Sequence, residues 1–220
     1  RGLKAALKPG GVITLEFPHL MQLLEHTQFD TVYHEHFSYI SLHTVNRIVA
    51  MADLRLFDVE QLPTHGGSLR IYGCHADDAR ATTKSVQALL NEEERRRLRQ
   101  LDTYLSFQPR ADKIKNDLLA FLIEQKRAGT KVVAYGAAAK GNTLLNYGGI
   151  KPDLLWVVFD AATAKQNKFM PGSHIPILPP EKIAEVKPDY ILILPWNIAE
   201  EVRQQNKEFE KCGSKFVKAV

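Results

Sequence analysis

A chain of 220 residues with 45% hydrophobic content carries enough apolar material for one large or two modest domains with a buried core, which excludes a disordered chain. A net charge of +4 and a pI near 9.0 are too diffuse for a nucleic-acid stripe but suit a small phosphate-bearing ligand. Two cysteines, Cys74 and Cys212, are too few for a disulfide framework and lack metal-ligand spacing, and neither a signal-peptide core nor an apolar run of bilayer length is present, so a cytoplasmic protein is expected.

The opening predicts a helix end at Leu3–Leu7, a tight turn at Lys8-Pro9-Gly10-Gly11 and a strand at Val12–Phe17. One helix and one strand cannot bury their apolar faces alone, so they are expected to dock on other structure, a missing N-terminal domain being the preferred partner.

Residues 29 to 39 then gather unusual chemistry: Phe29-Asp30-Thr31-Val32-Tyr33-His34-Glu35-His36-Phe37-Ser38-Tyr39. Histidine titrates near neutral pH and a neighbouring carboxylate can fix its tautomer and raise its basicity, so this cluster is the strongest candidate for a general base. Two other readings stand beside it. His34 and His36 would share one face of a strand, as in a metal site, though no third ligand has a convincing spacing; or the cluster is a structural polar network.

Helical periodicity follows over Leu42–Asp53, with Val45, Ile48 and Val49 on one face. Leu54–Leu62 and Ser68–Cys74 read as strands of a hairpin around Pro63-Thr64-His65-Gly66-Gly67, where His65 and Gly66 either shape the turn or meet a sugar or phosphate, and Arg70 serves either reading. Thr83–Leu105 reads as one long helix whose Glu92-Glu93-Glu94-Arg95-Arg96-Arg97 run offers ion pairs on a solvated face.

From Pro109 the pattern alternates: a helix over Arg110–Arg127 ended by Gly129, a strand at Lys131–Gly136, a helix start at Gly141–Asn146, a strand at Leu154–Asp160, a short helix at Pro180–Val186, a strand at Tyr190–Leu194, a helix over Ile198–Lys211 and a last strand at Phe216. Apolar strands alternating with helices predict a parallel sheet flanked by helices. The small-residue stretch Gly136-Ala137-Ala138-Ala139-Lys140-Gly141-Asn142-Thr143 links strand to helix and would let a phosphate approach backbone amides. Asn142 stands where a Walker A loop needs its lysine, which argues against an NTPase. Asp160 ends the next strand at about the distance at which dinucleotide folds hold ribose hydroxyls, which keeps NAD open. The bland alternative is that small residues let the helix pack closely on the sheet.

Taken in order, Phe29-Asp30 through Tyr39, His65-Gly66-Gly67-Ser68-Leu69-Arg70, Tyr135 through Thr143, Asp160 with Lys165-Gln166-Asn167-Lys168, Pro171-Gly172-Ser173-His174-Ile175-Pro176 and Trp196-Asn197 resemble the C-terminal half of sugar C-methyltransferases that act on nucleotide-linked keto-deoxysugars. Ala164 departs from the pattern, which places a proline before the Lys-Gln pair. The Leu7-Lys8-Pro9-Gly10-Gly11 turn and its strand are likewise similar to the late part of class I S-adenosylmethionine-dependent methyltransferase domains.

The resemblance implies an α/β protein in three parts: residues 1–18 as the tail of a class I methyltransferase domain, 19–107 as an α+β segment with the base-bearing loop, hairpin and long helix, and 108–220 as a Rossmann-like substrate domain. It implies that His36 takes a proton from the sugar carbon beside the keto group, that Glu35 or a backbone carbonyl orients its ring, and that Tyr33 donates to the enolate oxygen. His65, Gly66, Arg70, Gly136, Lys140, Asn142, Asp160, Lys165, Trp196 and Asn197 are the expected contacts to the nucleotide-diphosphate sugar. S-adenosylmethionine is expected on an upstream domain that also follows a zinc-binding segment, leaving this chain as a fragment inactive alone, with neither nucleic acid nor membrane as partner. The competing expectation is a non-catalytic nucleotide- or NAD-binding module.

Overall fold

Alternating apolar side chains over residues 54–75 build the centre of a first unit. In the computed structural model, which describes residues 1–219, that unit comprises Arg1–Thr27 and Phe37–Gln108, and a second comprises Gln28–His36 and the chain from Pro109 on.

The first unit runs α1 (Gly2–Ala6), β1 (Ile13–Pro18), α2 (Leu20–Glu25), α3 (Leu42–Ala50), β2 (Leu54–Leu62), β3 (Ser68–His75), α4 (Lys84–Arg95) and α5 (Asp102–Leu105). The strands form an antiparallel sheet in the order β1-β3-β2. Leu69 and Ile71 are fully buried on one face, against Leu42 and Val45 of α3 and Val86 and Leu89 of α4. The opposite face is polar, with Arg70 donating to Glu16 at 2.9 Å and Tyr72 to Glu60 at 2.9 Å. A register shift between Leu56 and Asp58 explains why the buried positions of β2 run Leu54, Leu56, Val59 and not in strict alternation. Residues 1–18, expected as the tail of a further domain, place β1 beside β3; among the described residues its other edge has no strand neighbour. Nearby Leu3, Val12 and Leu15 are 47%, 48% and 37% exposed, an open apolar margin.

The single long helix expected over Thr83–Leu105 is broken. At its end Arg97 takes a left-handed φ of 57°, with Leu98 N–H donating to Glu93 O at 3.1 Å and Arg97 N–H to Glu94 O at 2.9 Å. This is the six-to-one and five-to-two bonding of a Schellman stop, here on an arginine where glycine is usual, and it turns Leu98 into the core.

The second unit contains most of α6 (Phe107–Ala128), then β4 (Val132–Tyr135), α7 (Ala139–Tyr147), β5 (Val158–Phe159), β6 (Lys168–Phe169), β7 (Pro176–Leu178), α8 (Ile183–Val186), β8 (Tyr190–Ile193), α9 (Ala199–Gln205), α10 (Lys207–Lys211) and β9 (Lys215–Val217). The sheet order is β6-β7-β5-β4-β8-β9. The expected parallel sheet is therefore mixed, because edge strand β6 runs antiparallel to β7. Val133, Tyr135, Phe159, Ile191 and Ile193 pack with Ile183 and Val202 in its core. The helix expected over Ile198–Lys211 is interrupted at Asn206, whose buried side-chain amide donates to Val202 O at 2.8 Å and so competes with the helical backbone. The chain passes from β4 to β5 on one side and returns through β8 on the other, so the carboxyl ends of β4 and β8 flank a topological switch point, where ligands of open α/β sheets bind.

Candidate functional site

The loop that carries the histidine cluster belongs to the second unit. It opens with a 3-10 turn at Phe29–Thr31, whose residues are all buried. Phe29 packs on Tyr147 with ring centroids 5.1 Å apart. Asp30 is fully buried and accepts the indole N–H of Trp196 on Oδ2 at 2.6 Å, while its Oδ1 has no hydrogen-bond partner. From this anchor the chain leaves in irregular conformation through residues 32–36, with Tyr33 and His36 half-buried and His34 and Glu35 exposed.

Within that loop the His36 ring is fixed by the backbone. Its Nδ1 lies 2.8 Å from the carbonyl oxygen of Thr31; a carbonyl only accepts, so Nδ1 carries a proton and Nε2 is the nitrogen that bears the lone pair in the neutral ring. Nε2 faces the Tyr33 hydroxyl at 3.4 Å, and the rings lie 4.4 Å apart. Of the two orienting groups expected, the structure supplies the carbonyl. Glu35 instead sits 3.9 Å from His34 Nε2, both largely in solvent. Among the described residues no group of three metal-ligating side chains gathers, so the histidine pair finds no third ligand there.

The switch point holds a second cluster. Lys140, near the start of α7, is 7% exposed. Its Nζ donates to Asn197 Oδ1 at 3.0 Å and lies 4.6 Å over the Trp196 ring. Burial pulls the Lys140 ammonium below its ordinary value, partly opposed by the Asp30 charge. Burial likewise pushes the Asp30 carboxyl up, against the Trp196 hydrogen bond and Lys140. Both groups are thus drawn toward their neutral forms.

Beside these clusters a cleft of about 420 Å³ is lined by Tyr33, His34, Asn142, Lys165, Lys168 and Phe169, and by Ala137–Ala139. Two lysines, the small-residue start of α7 and the Tyr33 ring supply what a phosphate-bearing ligand with a planar part needs. The other expected contacts fare differently. Asp160 is 7% exposed and its oxygens already accept from Ala137 N–H at 2.6 Å, Ala162 N–H at 2.8 Å and Lys165 Nζ at 3.2 Å; it shapes the loop, which is the reason it is poorly placed to take ribose hydroxyls. At Gly136 φ is +89° and a Cβ would stand 2.5 Å from Pro195 Cδ; at Gly141 a Cβ would stand 2.5 Å from Leu194 Cβ. Close packing of loop and helix on Leu194 and Pro195, just past the end of β8, accounts for both glycines. His65, Gly66 and Arg70 lie in the first unit: His65 and Gly66 form the hairpin turn with φ of 57° and 91°, and Arg70 bridges Glu16 and Glu60. The residues that composition and spacing did not single out for a role are Asp30 and Thr31; an acid between aromatic Phe29 and a β-branched pair, ahead of the histidines, was the available signal.

Comparison with known proteins gives the same outline. A family model described as the C-methyltransferase C-terminal domain matches residues 63–220. Over 216 residues, 98% of its length, the chain is 35% identical to the C-methyltransferase NovU of Streptomyces niveus, of which it covers 51%. The chain thus spans about half the length of that curated relative.

Proposed function

The chain belongs to the C-methyltransferase C-terminal domain family, and from that premise we propose that it is the substrate-activating part of an S-adenosylmethionine-dependent C-methyltransferase whose acceptor is a nucleotide-linked keto-sugar. The observation that carries the reading is the Thr31–His36–Tyr33 arrangement: a lone pair on Nε2 and a phenol hydroxyl 3.4 Å apart, beside a cleft with lysines. A carbon next to a ketone becomes nucleophilic only after deprotonation, and the charge then sits on the neighbouring oxygen. His36 takes the proton at Nε2, the Thr31 carbonyl supports the imidazolium through Nδ1–H, and Tyr33 donates to the enolate oxygen on the adjacent atom.

The sulfonium cofactor supplies an electrophilic methyl group. The loop at residues 136–141 is not its cradle, because its glycines are filled by Pro195 and Leu194. We assign the cofactor to a preceding part of the protein. The open edge of β1 and the exposed Leu3, Val12 and Leu15 support reading this sheet as the end of a larger one. Lys165 and Lys168 hold the diphosphate. The NAD-module reading drew on the βαβ pattern and on Asp160, whose oxygens are engaged within the loop.

Full-length protein carrying His36→Asn tests the proposal. Methyl transfer from radiolabelled cofactor should vanish while cofactor affinity stays near wild type. Undiminished turnover removes His36 as the base, and preference of the protein for NAD over nucleoside diphosphates overturns the acceptor class.

A further inference from the structure

We propose that Asp30 is a positioning residue for the base: by gripping the Trp196 indole it fixes the Thr31 carbonyl, and through that carbonyl the tautomer of His36. The proposal rests on the function assigned above only for its kinetic arm.

Three observations carry it. First, Asp30 precedes Thr31, so the side chain anchored and the carbonyl that orients His36 Nδ1 belong to neighbouring residues of one tight turn. Second, the anchor is fully buried. Asp30 is 0% exposed and its bond to Trp196 Nε1 is 2.6 Å, in surroundings where a hydrogen bond is stronger and a slack one costs more. Third, the link ties the loop to a rigid element. Trp196 opens the 3-10 turn that follows β8 after Leu194 and Pro195, and its ring is covered by Lys140, which Asn197 holds. A carboxyl whose second oxygen finds no partner, buried where a leucine would cost less, has no evident stabilising purpose. Its use is geometric: it fixes the turn from which residues 32–36, which lack regular structure, depart, together with the packing of Phe29 on Tyr147.

The lysine end of the cluster gives the clamp a second consequence. Lys140 lies over the same indole that Asp30 holds, so a shift of Trp196 reaches the switch point and the base loop together. Lys140 belongs to α7, whose Ala139, Asn142 and Thr143 line the ligand cleft, so tying the base loop to this indole keeps proton abstractor and substrate in one frame, where a misplacement of about 1 Å costs on the order of a hundredfold in rate.

The test uses full-length protein with Asp30→Ala, Asp30→Asn and Trp196→Phe, read two ways. The nitrogen shifts of His36, assigned by their loss in His36→Gln, should report the Nδ1–H tautomer in the wild type and a mixture of tautomers in Asp30→Ala and Trp196→Phe. Asp30→Asn keeps an oxygen acceptor for the indole and should restore the single tautomer. In the kinetic arm kcat should fall about ten- to a hundredfold in the two disrupting variants with KM for the acceptor little changed, and the Asp30→Ala/Trp196→Phe double variant should be no worse than either single one. If Asp30→Ala fails to fold, Trp196→Phe with Asp30→Asn carries the same comparison. An unchanged His36 tautomer in the disrupting variants, or additive losses in the double variant, overturns the clamp. A wild type with the expected tautomer and no methyl transfer overturns the proposed function and leaves the clamp standing.

Discussion

His19 and Glu93 are hydrogen-bonded inside the first unit, with Nε2 3.1 Å from Oε1 and side chains 1% and 3% exposed. The same carboxylate accepts the N–H of Leu42 at 2.6 Å and of His43 at 2.9 Å, so it satisfies the first turn of α3 with a charge of favourable sign. Glu93→Ala removes all three partnerships at once. It should cost about 3–5 kcal/mol, the usual scale for breaking one side of a buried pair, measured as a lowered urea midpoint.

The pair also fixes how stability depends on acid. Burial pushes the Glu93 carboxyl up, but the hydrogen bonds from His19 and from the His43 and Leu42 amides outweigh it and hold the group below its ordinary 4.5. A depressed folded value means that the unfolded chain binds the proton more readily. The contribution is therefore whole above the ordinary carboxylate range and is lost as pH falls through the folded value. Chemical denaturation between neutral pH and pH 3 should show a steeper loss in wild type than in Glu93→Gln; parallel curves would dissociate the acid sensitivity from this residue.

Gly141 sits in α7, where alanine would ordinarily gain about 1 kcal/mol in helix propensity. Here its Cβ would stand 2.5 Å from Leu194 Cβ, an atom that no rotamer change can move. Overpacking costs about 1–3 kcal/mol, so the clash wins and Gly141→Ala should destabilise. A raised thermal midpoint in that variant would mean that α7 can retreat from the sheet at no cost.

How much of this was legible in the sequence depends on the range of the interactions involved. The hairpin of β2 and β3 and the alternation of β4, α7, β8 and β9 follow from local periodicity and turn residues, and the structure has them within a few residues. The breaks at Arg97 and Asn206 escaped because they use an arginine and a buried asparagine in place of glycine or proline. β6 and β7 are too short to show alternation. Within the site, Tyr33 and His36 announced themselves by chemistry, whereas their orientation depends on the Thr31 carbonyl, which no side-chain pattern reveals. Glu93 read as one member of a charged run on a wet helix; only tertiary packing shows that it faces inward. Asp30 and Trp196 are 166 residues apart in the chain.

Tyr33→Phe separates the two roles in the proposed deprotonation. The ring contact with His36 at 4.4 Å survives the change and only the hydroxyl is lost. With the full-length protein kcat should fall by roughly a hundredfold, the scale of removing one donor to a developing oxyanion, while the thermal midpoint and the His36 tautomer stay as in wild type. A drop confined to KM would make the hydroxyl a ground-state contact with the acceptor.

The two lysines of the cleft should not contribute equally. Lys165 is already paired with Asp160 at 3.2 Å and must loosen that contact to reach a ligand, whereas Lys168, on edge strand β6, is exposed. Each charged hydrogen bond to phosphate is worth about 1.5–3 kcal/mol, and the Lys165 share is reduced by what it gives up. Lys168→Ala should therefore weaken thymidine diphosphate binding by about tenfold or more in calorimetry, and Lys165→Ala by less. Because Lys168 acts through solvent-exposed charge, its effect should shrink as salt rises. A larger loss from Lys165→Ala, or one indifferent to salt, would mean that the Asp160 loop opens on binding and that its lysine is the principal phosphate ligand.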